Sequence, residues 1–243
     1  MATVEAEGLS FSYRGKHVLE NVCFKLSNGV TGLLGENGAG KTTLLRLIRG
    51  ELTPTVGEIR ITGCGEHDAS VSMGYLPQSF EVMGASTVHR NVAYAAWANG
   101  VSKDRCDEAA NCAIEQVGLQ KQASQKARQL SGGMRQRLGI ACSIAHRPEI
   151  VLMDEPTVGL DPLQRTEIRS LMHSIGRNAC VVTSTHLIED LTATASRVLV
   201  LHDKRVRFYG PIDRLGDMGR SHPQVGMSDY EAGFVACTQS APE

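Results

Sequence analysis

The chain has 243 residues, enough for one sizeable domain or a core domain with a smaller subdomain. Its 25 basic and 26 acidic side chains leave a net charge of −1, without the basic excess of a nucleic-acid binder, so no nucleic-acid partner is expected. The longest apolar run, Val92 to Ala98, has seven residues where a membrane-spanning helix needs about 20, so no bilayer crossing is expected.

Ala2 to Glu7 alternates as a strand, Val22 to Leu26 reads as a second, and Ser27-Asn28-Gly29 turns into the apolar run Val30 to Leu34. That run feeds Gly35-Glu36-Asn37-Gly38-Ala39-Gly40-Lys41-Thr42, which reads G-x-x-x-x-G-K-T, and Thr43 then continues into helix-like sequence as far as Ile48. Strand, glycine loop and helix in this order form a phosphate cradle. The glycines let the backbone aim its N–H groups inward, and the helix start adds roughly half a positive charge. Lys41 supplies a full charge for the outer phosphates, and the Thr42 hydroxyl is placed to ligate magnesium. A plain tight turn would need the glycines but not the lysine, the threonine or the flanks.

Gly57 to Ile61 and Met73 to Leu76 read as further short strands. From Thr87 to Gln129 the pattern becomes helical, with Val88, Val92 and Trp97, then Cys112, Ala113, Val117 and Leu119, spaced by about three or four. A helical subdomain inserted at about 87–130 is expected. Leu130-Ser131-Gly132-Gly133 then opens a helix over Gly132 to His146, a second set of bare N–H groups at a positive helix end. By itself this segment could be a simple helix cap with flexible glycines.

Strands and helices then alternate: Ile150 to Met153, Pro162 to Ile175, Cys180 to Thr183, Leu187 to Ala195 and Val198 to Leu201. Near-continuous apolar strands between helices indicate a buried parallel sheet. The strand at Ile150 delivers Asp154 and Glu155 to its C-terminal edge, where ligands of open parallel sheets collect. Asp154 fits a magnesium role, direct or one step removed, and Glu155 fits the group that activates or orients water. Asp161-Pro162 is a helix start with a capping carboxylate. Beyond Leu215 the chain is rich in Gly, Ser and Pro without a period, so a domain over 1–215 and a loosely ordered tail over 216–243 are expected. Seven scattered cysteines without C-x-x-C read as reduced thiols, several of them buried.

Taken together, the glycine loop, Leu130 to Arg137, Asp154-Glu155 and His186 resemble the nucleotide-binding subunit of ATP-binding cassette (ABC) transporters, from about Phe11 to about Gly210. The resemblance implies a P-loop ATPase of the α/β class: a mostly parallel sheet, an N-terminal antiparallel β subdomain and an inserted α-helical subdomain. It implies ATP and Mg²⁺ as ligands. Gln78 matches the glutamine whose amide reaches the magnesium or the attacking water, and His186 the switch histidine on the γ-phosphate. Tyr13 falls where an aromatic ring stacks on adenine, and Asp161 in the loop that crosses between two cassettes. Ser131, Gly132 and Gly133 of one copy would face the γ-phosphate held by Lys41 of another, in a homodimer or a cassette heterodimer.

The resemblance further implies a separate membrane permease, docked near Gln78 through roughly Ser79 to Ala98, with Val82, Met83, Val88, Val92 and Trp97 as contacts. The chain would then sit peripherally on the inner face of the cell membrane. A compact Gln78–Leu130 interval and a short C-terminus favour export of a drug, lipid or polysaccharide over import. A soluble cassette ATPase acting on a cytosolic assembly is the alternative. Intact Lys41, Asp154, Glu155 and His186 argue against a regulatory subunit without turnover. Met134 and Glu36 depart from the family pattern without removing a reactive group.

Overall fold

The computed structural model describes residues 2–63 and 73–239. In chain order its elements begin with β1 (Thr3–Tyr13), β2 (Lys16–Leu26), β3 (Gly29–Leu34), α1 (Lys41–Ile48), β4 (Val56–Thr62) and β5 (Met73–Leu76). Three helices follow, α2 (Val88–Ala98), α3 (Cys106–Gln116) and α4 (Gly132–Ile144), separated by short 3-10 turns. The chain closes with β6 (Ile150–Asp154), α5 (Pro162–Gly176), β7 (Cys180–Thr185), α6 (Glu189–Thr192), β8 (Arg197–His202), β9 (Arg205–Pro211), α7 (Ile212–Ser221) and α8 (Asp229–Gln239).

Two sheets organise the described residues. The smaller is antiparallel, in the order β2-β1-β4, with Val4, Ala6, Leu9 and Phe11 of β1 turned inward. The larger has the order β5-β6-β7-β3-β8-β9, in which only β9 runs antiparallel. This is the expected α/β architecture.

Strand alternation explains how the larger sheet buries both faces. Ile150, Leu152, Val182 and Leu199 pack with the small sheet and with Leu44 and Leu45 of α1. Val151, Met153, Val181 and Val200 pack on the opposite face with Val92, Ile140 and Ile168 of the helical layer. Each fully buried Leu, Ile or Val contributes about 1.5–3 kcal/mol. All five parallel strands point their C-terminal ends at one edge, so that the loops after β3, β5, β6 and β7 gather there.

Several boundaries differ from expectation. The first strand continues through Tyr13 instead of stopping at Glu7, because β2 and β4 both pair with it. The helix expected over Leu187 to Ala195 shrinks to the four residues of α6. Of the three residues spaced along α2 and read as docking contacts, Trp97 is 56% exposed, whereas Val88 and Val92 are fully buried. Cys106, Cys180 and Cys237 are buried, but Cys23 and Cys112 are exposed, and Cys64 lies outside the described residues.

The loosely ordered tail requires correction as far as Gln239. Residues 212–221 and 229–239 form α7 and α8, packed tightly against each other. Glycines hid the period and also make the contact: a Cβ on Gly219 would strike the carbonyl of Asp229, and one on Gly233 that of Leu215. Leu215 and Cys237 join the main core, flanked by Tyr230 and Phe234.

Candidate functional site

The loop between β3 and α1 ends at Gly40, which takes φ +104° and leaves the first turn of α1 without a side-chain cap. A non-glycine residue would be strained there, and its Cβ would press on Val18 and Leu19 of β2. The first amides of α1 are thus not satisfied by a capping side chain, the arrangement that receives anions.

Lys41 folds back over this loop and is only 5% exposed. Its Nζ donates to the carbonyls of Gly35 at 2.7 Å and Glu36 at 3.1 Å and lies 3.4 Å from Glu155 Oε1. Next to it, Thr42 Oγ1 donates to Asp154 Oδ2 at 2.7 Å. An ammonium, two carboxylates and a hydroxyl therefore meet at the end of β6.

Asp154 and Glu155 are both buried, and the register between β6 and β7 explains how they are held. Asp154 pairs with Ser184, whose hydroxyl donates to Asp154 Oδ1 and accepts the Glu155 N–H at 2.9 Å. Glu155 has φ +50°, a left-handed conformation that costs a non-glycine residue about 1–3 kcal/mol unless its surroundings hold it. Ser184 is that restraint. The Glu155 carboxylate lies between Lys41 and His186, whose Nδ1 is 3.2 Å from Oε2. An ionised Glu155 fixes that ring with the proton on Nδ1, leaving Nε2 for another partner.

Lys41, Thr42, Asp154, Glu155 and His186 are thus brought together. Tyr13, Gln78, Ser131 and Asp161 make no hydrogen bond or ion pair with this cluster among the described residues. Tyr13 is 40% exposed and meets Phe11 edge-on, with ring centroids 4.7 Å apart. Gln78 is exposed in the turn after β5. Ser131 Oγ caps α4 by accepting from the Met134 N–H at 3.3 Å, while Gly132 is open and Gly133 lies under the side chain of Gln164. Asp161 caps α5 by accepting from the Gln164 N–H at 2.9 Å. The starts of α4 and α5 are therefore neighbours.

Sequence reasoning missed Ser184. The available signal was Thr183-Ser184-Thr185, three hydroxyl residues closing an apolar strand buried along its whole length.

Beside β5 lies a cavity of about 340 Å³, lined among others by Tyr75, Phe80, Val82, Tyr94, Cys142 and His146. Burial holds the His146 imidazole below its ordinary pKa, against a hydrogen bond to the Met73 carbonyl, and its Nδ1 has no partner among the described residues. Burial pushes the Cys142 thiol up to about 12. Tyr94 and Trp97 form an exposed aromatic pair, 5.8 Å between centroids, on α2.

The ABC transporter family model matches residues 19–158. Among curated relatives, the uncharacterized ABC transporter ATP-binding protein YxlF of Bacillus subtilis (strain 168) is 35% identical over 210 residues, 86% of this chain and 71% of that protein. The Nod factor export ATP-binding protein I of Paraburkholderia xenovorans (strain LB400) is 33% identical over 212 residues, 84% of this chain and 69% of that protein. Among solved structures, an ATP-binding subunit of an ABC transporter superposes with a TM-score of 0.80 at 28% identity, covering 97% of this chain and 99% of that one.

Proposed function

This chain belongs to the ABC transporter family of ATP-binding proteins, which bind and hydrolyse ATP, and from that premise we propose that it is the motor subunit of an exporter, working as a dimer on a separate membrane permease. The observation that carries the reading is the Glu155 carboxylate held between Lys41 and His186, beside the Thr42–Asp154 pair.

The roles follow from charge and reach. Lys41 and the first amides of α1 neutralise the outer phosphates, and phosphate oxygens compete with Glu155 for the ammonium. Thr42 and Asp154 present hard oxygen donors 2.7 Å apart, a donor set that fits Mg²⁺, which keeps most of its shell as water and phosphate oxygen. When bound, Mg²⁺ supplies charge neutralisation between the outer phosphates. Glu155, released from Lys41, takes the proton from the attacking water, and His186 presents Nε2 to the terminal phosphate. Gln78 completes the water and magnesium environment, and Tyr13 stacks on adenine.

Dimerisation is supported by a second glycine-flanked helix start, which keeps its own serine cap. Ser131, Gly132 and Gly133 form a helix start that touches no group of the Lys41 cluster, and Asp161 lies at the neighbouring helix start. A second copy turned head to tail supplies the phosphates that this start would meet. The permease is supported by the cavity beside β5, lined by Pro77 next to Gln78 and by residues of α2 and α4, with Met83 and Tyr94 exposed in its lining and Trp97 exposed beside Tyr94. Val88 and Val92 serve the core there, not the docking contact. No helix among the described residues is long and apolar enough to cross a membrane. Such a complex sits peripherally on the inner face of the membrane. The relative named for Nod factor export supports the outward direction.

Phosphate release from Mg-ATP by the purified chain tests the enzyme, and gel filtration of Glu155→Gln with saturating ATP tests the sandwich. Hydrolysis that vanishes in Glu155→Gln together with an ATP-dependent dimer is expected. A variant that stays monomeric contradicts the dimer.

A further inference from the structure

Asp190 is a carboxylate outside the phosphate cluster, 3% exposed, on the short helix α6. Its Oδ2 accepts from Thr157 Oγ1 at 2.5 Å and from Thr185 Oγ1 at 3.5 Å. Its Oδ1 accepts from Arg169 Nε at 3.1 Å and from a second guanidinium nitrogen of the same residue. One side chain thus joins three elements.

Each of the three leads to a group of the proposed site. Thr157 lies two residues after Glu155, at the start of the loop that runs to Asp161. Thr185 immediately precedes His186, and its hydroxyl accepts the Leu187 N–H at 3.0 Å, which fixes the turn around the histidine. Arg169 stands on α5, the helix that Asp161 caps. Stability alone does not account for a charge here. Ile188, Leu191 and Ile168 are all buried nearby in sequence or on the same helix as Arg169, and a buried ion pair is often no better than apolar packing. What a carboxylate adds is direction, through a planar forked contact to arginine and lone pairs aimed at two hydroxyls.

We propose that Asp190 is a positioning residue that locks the Glu155–Asp161 loop to the His186 turn, so that the hydrolytic pair and the loop facing a second copy keep one geometry. The proposal rests on the reading of Glu155 and His186 as the hydrolytic groups. It assigns Asp190 no contact with nucleotide.

The test compares full-length Asp190→Ala with the parent chain in Mg-ATP hydrolysis and in fluorescence-detected binding of mant-ATP. The expected result is a kcat lower by about tenfold or more, with mant-ATP affinity within about twofold and the parent's binding stoichiometry. A kcat per nucleotide-binding site equal to that of the parent overturns the proposal, whatever the melting temperature. So does a loss of affinity that matches the loss of kcat. Thr157→Val keeps the side-chain volume and removes one donor to Asp190, and it decides the matter if Asp190→Ala does not fold. For it, kcat lowered several-fold at unchanged affinity is expected, and parental kcat overturns the proposal. Glu155→Gln run alongside separates the two ideas. Parental turnover in that variant removes the premise, whereas parental turnover in the Asp190 and Thr157 variants alone removes only this inference.

Discussion

Ser184→Ala deletes one hydroxyl that serves both carboxylates of the site. In the parent chain that oxygen donates to Asp154 Oδ1 and accepts the N–H of Glu155, and Ser184 is completely buried. A hydrogen bond to a charged group contributes about 1.5–3 kcal/mol, and a stranded buried N–H costs about 1–3 kcal/mol. Asp154 keeps its contact from Thr42, which limits the loss, so about 3 kcal/mol is expected. For a chain of this length that corresponds to a melting temperature lower by about 6–12 °C. The left-handed backbone of Glu155 then loses its restraint. If half of the energy appears in the placement of its carboxylate, kcat falls about tenfold. Differential scanning fluorimetry and a phosphate-release assay at saturating Mg-ATP measure the two effects on one preparation. A variant that melts within 1 °C of the parent, by the roughly 2–4 °C per kcal/mol expected at this size, and keeps full turnover would refute the reasoning.

Other predictions concern separate parts of the molecule. Glu155→Gln lowers kcat by about 100-fold or more while ATP still binds, whereas Lys41→Ala weakens ATP binding itself by about tenfold or more; equilibrium binding with turnover distinguishes the two. Iodoacetamide at pH 8 alkylates exposed Cys23 and Cys112 well before Cys142, whose thiol is pushed up to about 12, and Cys237, pushed up to about 11 by burial; peptide mass spectrometry at timed intervals gives the order. Gly233→Ala drives a methyl group into the Leu215 carbonyl and costs about 1–3 kcal/mol by overpacking, so a parental melting curve would contradict the contact between α7 and α8.

The parallel strands of the larger sheet and the gathering of loops at one edge were legible because these strands are buried over most of their length and read as largely apolar runs. The Lys41 loop and the Asp154-Glu155 pair were legible for a different reason: their chemistry is local, within a few residues of one turn. What escaped is tertiary. Strand β9 has no burial pattern of its own and is recognised only by its pairing with β8. Helices α7 and α8 depend on glycines that erase a period while allowing the backbones to meet. Ser184 and Asp190 carry no motif, and their importance lies in partners 30 and 33 residues away in the chain. The residues of the proposed second half-site, Ser131 and Asp161, show in one chain only their duty as helix caps.

Disulfide crosslinking between two differently tagged copies tests the dimer most directly. One copy carries Asn37→Cys in the phosphate loop and the other Ser131→Cys at the start of α4, both in a Glu155→Gln background with Cys23, Cys64 and Cys112 replaced by serine. ATP should produce a mixed-tag product that ADP does not. Absence of that product at saturating ATP, with nucleotide binding intact, would contradict a triphosphate shared between one copy's lysine loop and its neighbour's serine-glycine helix start.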